Sequence, residues 1–476
     1  MTENQPRLPA IGAAMLVLLA SQLASIYLQL SIFNYIAMCC VFVIGLLARR
    51  LVKIREFYLI AVGGILAVVA WVTSQHAVEW MIEGLSRSAY LASFILLMAL
   101  LREGALTSRS VVDLGRYLTF QPPKRRFVAV FSGAHMLSAM INLGALPLFA
   151  PIIQRGVRAD LPATAPLDEV AQIRERRQLT ATLRGFSWFL IWAPTAVTQA
   201  IMPTLMDGIQ ALRLMGIGLC IALIMMLLGW CEDWLRWRKT GHRIRQQGML
   251  GTIETPNFPR NSARNFALVC ALLFVLSVGF YNGFGVSIVS GVMLAAPIVV
   301  LVWVVVQQPS GSKLSGTATR FDQITHSAMP GYVREMLFVA CAGFIGTIGA
   351  KLVPIAEFAQ AIGLATAPGW SVLFTLSMSV WVFGQVGFSP ITMAVFLSSV
   401  VAQIPVLPVD ITHAALAIAA GTAICTTGAP FSAGALMLSR ATGYSPFTLT
   451  WRWNGLFTFL SMIVLTLIYV WLEPGQ

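Results

Sequence analysis

Apolar runs of membrane-crossing length recur along almost the whole chain, and nothing else constrains its fold as tightly. They lie at roughly 10–28, 30–48, 57–75, 88–101, 185–205, 211–230, 265–282, 287–306, 335–350, 412–438 and 453–472. A helix needs about 20 mostly apolar residues to cross the hydrocarbon core. Lipid offers no hydrogen bonds, so a spanning backbone must satisfy its own groups, and these runs read as helices. Composition agrees: charged residues are 11% of 476 positions and mean hydropathy is +0.78, against about 25% charged in soluble domains. Apolarity near the start continues to Leu47, too far for the core of a cleaved signal peptide, so spanning helices are expected there. The seven cysteines show no metal or disulfide spacing and are read as packing residues.

The net charge of +13 raises a nucleic-acid reading that its distribution rejects. With a cytoplasmic N-terminus, 29 Lys and Arg fall inside and 3 (Arg87, Arg213, Lys351) outside. That is the positive-inside pattern. It holds only if two further apolar stretches, 127–153 and 369–404, enter and leave on one face. The basic excess is therefore a topology signal and a contact with anionic lipid.

Both stretches are broken in the middle. "SAMINLGALPLFAPII" carries Asn142, Gly144 and two prolines, and the second stretch carries Gly387-Phe388-Ser389-Pro390. Their limbs are too short to cross, and a turn at membrane depth is tolerated only where protein or a water-filled cavity surrounds it. Re-entrant hairpins are expected, with tips at Asn142-Leu143-Gly144 and at 387–390. Each is followed by a broken span: "WAPTAV" within 185–205 and "TTGAPFSAG" within 412–438. A proline inside a helix removes a backbone hydrogen bond and clashes with the preceding turn. Each half closes with one more span, 211–230 and 453–472. Hairpin, broken helix and closing span, entered from opposite sides, form an inverted-topology repeat with its site near the midplane.

The expected fold is thus an all-α polytopic membrane protein with about 11 transmembrane helices plus two re-entrant hairpins. The expected divisions are N-terminal scaffold helices at 1–87 and a first repeat at 88–230. A cytoplasmic loop, two spans and a linker follow at 231–334, then a second repeat at 335–476. The linker "RADLPATAPLDEVAQIRERRQ" reads as a solvated connector with a short helix. "QQPSGSKLSGTATRFDQ" reads as a flexible loop between the halves. "DWLRWRKTGHRIRQQ" reads as an interfacial anchor.

This order of elements, over roughly 88–472, resembles the ion transporter superfamily, most closely the divalent anion/sodium symporters. In that family the hairpin tips carry Ser-Asn-Thr; here they read Ile141-Asn142-Leu143 and Phe388-Ser389-Pro390. The resemblance implies a homodimer, a scaffold, an elevator-like transport domain carrying both hairpins, and Na+ or substrate carboxylate at the tips.

Candidate substrate-binding residues are Asn142, Gly144 and Thr195 in the first half. In the second half they are Ser389, Pro390, Thr392, Thr426, Thr427 and Ser432. Gln385 and Thr198 are weaker candidates. His135, Asn142 and Ser389 are candidates for ion coupling, with H+ on His135 or Na+ at the tips. Each has a plain alternative: Asn142 capping its own turn, hydroxyls bonding the i−4 carbonyl, His135 a neutral packed ring. Arg184 is read as a snorkelling anchor and no Asp or Glu is placed clearly within a span. No metal site, cofactor or enzyme motif such as GxSxG or HExxH is found.

The function expected is a secondary active transporter of the bacterial inner membrane moving a small, anionic organic solute, carboxylate- or sulfonate-like. A proton or sodium gradient would drive it. Lipid, the solute and a second copy of the chain are its expected partners, with no nucleic acid. Two alternatives share the architecture. One is the large membrane subunit of a tripartite system, partnered by a periplasmic binding protein or small membrane subunit. The other is a non-transport component of envelope or polymer assembly.

Overall fold

The computed structural model describes residues 8–158, 167–246, 257–308 and 313–474. Among the described residues it is all helical. The first four helices are α1 (Leu8–Leu28), α2 (Ser31–Leu47), α3 (Ile54–Thr73) and the long α4 (Ala77–Leu106). A short amphipathic α5 (Arg109–Thr119) leads into α6 (Pro123–Ile141), the turn Asn142–Gly144 and α7 (Ala145–Val157). Then come α8 (Glu169–Phe189), α9 (Val197–Leu205), α10 (Ala211–Gln246), α11 (Arg260–Phe284), α12 (Ile288–Gln307) and α13 (Lys313–Gln323). The second half repeats the pattern with α14 (Val333–Leu352), α15 (Ile355–Ala361), α16 (Gly369–Gln385) and α17 (Pro390–Val401). It continues with α18 (Ile411–Gly428), α19 (Ala433–Thr442) and α20 (Trp453–Leu472).

Ten helical segments among the described residues are long and apolar enough to cross a membrane. Side chains such as Phe57, Ile65, Val68 and Val72 on α3 and Phe274 and Val275 on α11 are more than 60% exposed. A water-facing surface would not carry so much contiguous apolar area. The chain is a multi-pass membrane protein.

The expected helix–break–helix points fall where proline, glycine and asparagine place them. Asn142 adopts φ +49°, the region that favours glycine, and reverses the chain. The reversal shows in the neighbours: Phe149 lies beside Gly133, and Phe120 beside Gly156. Pro390 starts α17 at the first helical position, where its missing N–H costs nothing, and Ser389 caps that helix by accepting from Ile391 N–H.

Pairings along the helices fix their directions. Thr119 meets Gln178, Phe127 meets Arg184, and Ala139 meets Thr195, so α6 runs parallel to the α8–α9 path. Gly369 meets Val409, Ser377 meets Ala417, and Gly384 meets Cys425, so α16 runs parallel to α18. The returning limbs α7 and α17 therefore run back between parallel neighbours, and each hairpin opens and closes at one end. The broken helices oppose each other: Glu175 meets Tyr444, Phe186 meets Gly434, and Gln210 meets Thr412. The long helices α4 and α14 are also antiparallel, with Gly84 near Ile348 and Arg102 near Glu335. The two hairpins thus enter from opposite ends of the molecule. Each returning limb packs on the other half's broken helix, α7 on α19 and α17 on α9.

Several expectations are corrected here. The division at 87/88 falls inside α4, the one at 230/231 inside α10, and the one at 334/335 in the first turn of α14. Helix α4 begins eleven residues before the apolar run because its early charges find partners: Lys351 Nζ lies 2.9 Å from Glu83. The short helix expected in the solvated connector is the start of the long α8 at Glu169, and it is packed rather than solvated, with Glu175 and Gln178 buried. The Gly/Ser-rich loop is helical from Lys313. The parts of those two segments at 159–166 and 309–312 lie outside the described residues. The basic Trp-rich run belongs to α10, continuous to Gln246.

Candidate functional site

At the first break, residues 190–196, the helix stops and side chains take up several of its carbonyls. Thr198 Oγ1 donates to Leu190 O (2.8 Å) and Gln199 Nε2 to Ile191 O (2.7 Å). The hairpin tip completes the set: Asn142 Nδ2 donates to Thr195 O (3.1 Å), and Thr195 Oγ1 donates back to Ala139 O (2.6 Å). Each bond satisfies a backbone group that lipid could not.

The second break, residues 429–432, repeats the device. Gln385 Nε2, at the end of the first limb, donates to Gly428 O (3.2 Å), and Ser432 Oγ donates to Thr426 O (3.2 Å). Ser432 also caps α19 by accepting from Ala435 N–H. In both halves a tip amide docks on the carbonyl where the helix unwinds. Sequence reading ranked Gln385 below Ser389; its amide is nevertheless the counterpart of the Asn142 amide.

The predicted residues fall into two groups. Asn142, Gly144 and Thr195 converge at the first junction. Ser432 lies at the second, while Thr426 and Thr427 end α18 and bond back to their own helix, at Thr422 O and at Ala423 O and Ile424 O. Ser389 is spent as an N-cap, Pro390 is the first helical residue beside it, and the Thr392 hydroxyl is buried without a partner.

His135 stands apart from both. Its Nδ1 lies 3.0 Å from Gly185 O, and its Nε2 accepts from Trp192 Nε1–H at 2.8 Å. A ring that donates through one nitrogen and accepts through the other is neutral. In this geometry His135 pins α6 to the first break.

Charged side chains that the run boundaries concealed complete the first site. Arg102 on α4 packs against Gly144 so closely that a Cβ there would lie 2.9 Å from Arg102 Cγ. Its guanidinium lies 5.1 Å from the Tyr332 ring and 3.8 Å from Glu335 Oε2. Arg102, Glu335, Asn142 and Leu143 border a cavity of about 10 Å³, with Ile95 and Met98 among its apolar walls. That is room for about one water. Arg102 lies one residue past the apolar run 88–101 and Glu335 opens the run 335–350, which is the signal that could have flagged them. Arg184 is also corrected: it is 1% exposed, not snorkelling. It reaches Glu232 Oε2 (2.9 Å) and donates to Asn454 Oδ1 (2.7 Å), with its guanidinium 4.1 Å from the Phe457 ring. Glu232 and Asp233 are buried on α10, so acidic groups do occur within the helices.

Outside the helices, Asp410 caps α18 and pairs with Arg213 at 2.9 Å. Burial pushes its carboxyl up, but hydrogen bonds from Thr412 and the nearby His413 and Arg213 outweigh that and hold it below the ordinary range.

Asn142 offers a direct test of the first junction. Asn142→Gly keeps the positive φ but strands Thr195 O, whereas Asn142→Ala does both harms. Thermal midpoints in detergent are expected to fall in the order wild type, Gly, Ala; equal midpoints for the two variants would reject the strained-tip account.

No protein-family model matches the chain, and no curated protein matches it. Among solved structures it is similar to the YdaH transporter of Alcanivorax borkumensis, described as having an unusual topology. The two are 12% identical with a TM-score of 0.54, and the match covers 88% of this chain and 99% of that one. This chain shares the fold of that transporter. The likeness reaches that level and does not single out the divalent anion/sodium symporters.

Proposed function

We propose that the protein is a secondary active transporter of the bacterial inner membrane, moving a small organic anion, carboxylate- or sulfonate-like. One observation carries this reading: the paired tip–break junctions, Asn142 on Thr195 O and Gln385 on Gly428 O, built from two oppositely directed halves. Unwound backbone held by protein within membrane helices is how transporters of inverted-repeat design form their sites. Arg102 beside the first tip supplies the cation that an anionic cargo requires.

In this reading the N-terminus is cytoplasmic and the protein works as a homodimer. The helices α1–α4 and α11–α14 form its scaffold, while the hairpins with α8–α10 and α18–α20 move as an elevator. A proton or sodium gradient drives the cycle.

Proteoliposomes test the proposal. With an imposed proton or sodium gradient and a mixture of small monocarboxylates and sulfonates outside, at least one solute should accumulate inside, as read by mass spectrometry. Gly144→Leu, which drives a side chain into Arg102, should abolish accumulation. No gradient-dependent accumulation in any arm would count against the transporter reading.

A further inference from the structure

The cavity beside the first tip is too small for a carboxylate, yet an unsatisfied cation lines it. Arg102 is 16% exposed, and among the described residues its buried Nε has no hydrogen-bond partner and its one carboxylate neighbour is Glu335 at a loose 3.8 Å. A close Arg–carboxylate pair normally forms parallel bonds at about 2.8 Å; this pair leaves Arg102 under-coordinated. The Glu335 side chain is 30% exposed, so the pair is not sealed inside the protein. With room for about one water beside the pair, an anion reaches Arg102 by taking the place of Glu335.

We infer that Arg102 and Glu335 form a carboxylate-exchange couple: a cargo anion displaces Glu335 from Arg102, and Glu335 takes up a proton as it leaves. This rests on the transporter reading above and names its coupling ion and its anion-binding residue. The step balances: one ionic contact to Arg102 is lost and one gained, while a proton from water neutralises the displaced carboxylate. One monoanion and one proton are thus taken up together without net charge.

The surroundings explain why the proton goes to Glu335. The neighbouring Glu103 is already held by Tyr332 Oη (2.5 Å) and Arg320 (3.6 Å). Arg334, next to Glu335 in sequence, is turned to Glu56 on α3 at 2.9 Å. α17, packed along α14, has no ionisable side chain, and the first tip contributes only the neutral Asn142. Once Arg102 is taken, no second cation among the described residues pairs with Glu335. A partly buried carboxylate without a counter-ion favours its protonated form.

The probe is benzoate, tested between about pH 6 and pH 8, where a carboxylate of ordinary pKa about 4 stays ionised. Leu143→Cys in an otherwise cysteine-free protein is labelled with an uncharged maleimide, and protection by benzoate is titrated. The apparent affinity should improve as pH falls, by up to about tenfold per pH unit, the limit for one coupled proton. With Glu335→Gln the protection should become tighter and independent of pH; with Arg102→Gln it should vanish, and Arg102→Lys should retain part of it. Infrared difference spectra of benzoate binding should show a protonated carboxyl band that Glu335→Gln removes.

Protection unchanged by Arg102→Gln, pH dependence surviving Glu335→Gln, or no protection by benzoate at any pH would each overturn the couple. The transporter reading fails separately. Gradient-driven accumulation that persists in Arg102→Gln leaves it standing while the couple falls. A binding-linked proton in a protein that accumulates nothing does the reverse.

Discussion

Glu232→Leu is expected to lower the thermal midpoint of the purified protein far more than Arg184→Met, although both break the same ion pair. Arg184 is fully buried, and among the described residues Glu232 is the carboxylate that pairs with it, at 2.9 Å. Removing the carboxylate strands a guanidinium, at a cost of about 3–5 kcal/mol for a buried pair broken from one side. Glu232 is placed differently. It also holds Arg236 at 3.1 Å, itself 36% exposed, so losing Arg184 leaves the carboxylate paired. Arg184→Met should then cost about 1–3 kcal/mol, chiefly for Asn454 Oδ1 left without its donor. The double variant Arg184→Met/Glu232→Leu should regain most of the loss, since apolar replacement of a whole buried pair is often close to neutral. Unfolding curves in detergent decide it. Equal single-variant losses, or a double variant as damaged as their sum, would show that the pair does not work this way.

This pair also bears on mechanism. Arg184 sits on the first broken helix, Glu232 on its closing helix α10, and Asn454 on the closing helix of the other half. One guanidinium therefore ties both halves together. In the proposed elevator the body carrying both hairpins must stay rigid as it slides, and a buried charge with fixed partners resists shear where an apolar contact would slip. On that reading the stability variants above should also lose transport at temperatures below their unfolding midpoints.

What could be read from the chain alone follows from how each feature is encoded. Tips and breaks are local: Asn142 at positive φ, Pro390 at a helix start and Pro194 and Pro430 in the unwound turns announce themselves whatever surrounds them. The junctions themselves, Asn142 to Thr195 and Gln385 to Gly428, follow once the tips and breaks are paired in space. Charges at the ends of apolar runs are another matter. Arg102 and Arg184 look like interfacial anchors because a run's hydropathy says nothing of whether its end faces lipid headgroups or another helix. Only tertiary packing buries one and leaves another exposed. The partners of His135 are hidden for the same reason: Trp192 and Gly185 both lie about fifty residues away in sequence.

The hairpin limbs are held to the broken helices by glycines, and a single methyl there should be enough to part them. At Gly185 a Cβ would fall on the carbonyl oxygen of Phe131, with the Ala134 methyl 3.1 Å away. At Gly421, in the other half, it would meet Ser377 O at 2.6 Å and Val380 Cβ at 3.0 Å. Backbone oxygens inside a helix cannot swing aside, so accommodation means separating α6 from α8, or α16 from α18, along their whole length. Overpacking of this kind costs about 1–3 kcal/mol when side chains can adjust, and more is expected where they cannot. Gly185→Ala has a second consequence: shifting α8 also moves the carbonyl that holds His135 Nδ1. Both Gly185→Ala and Gly421→Ala should therefore sharply reduce the yield of monodisperse protein in size-exclusion chromatography, with Gly185→Ala the more damaging. Gly216→Ala, on the exposed side of α10 with nothing within 4 Å, should behave as wild type. If Gly185→Ala and Gly421→Ala matched Gly216→Ala, the limbs would not be seated backbone against backbone. The parallel packing on which the inverted repeat rests would then lose its physical basis.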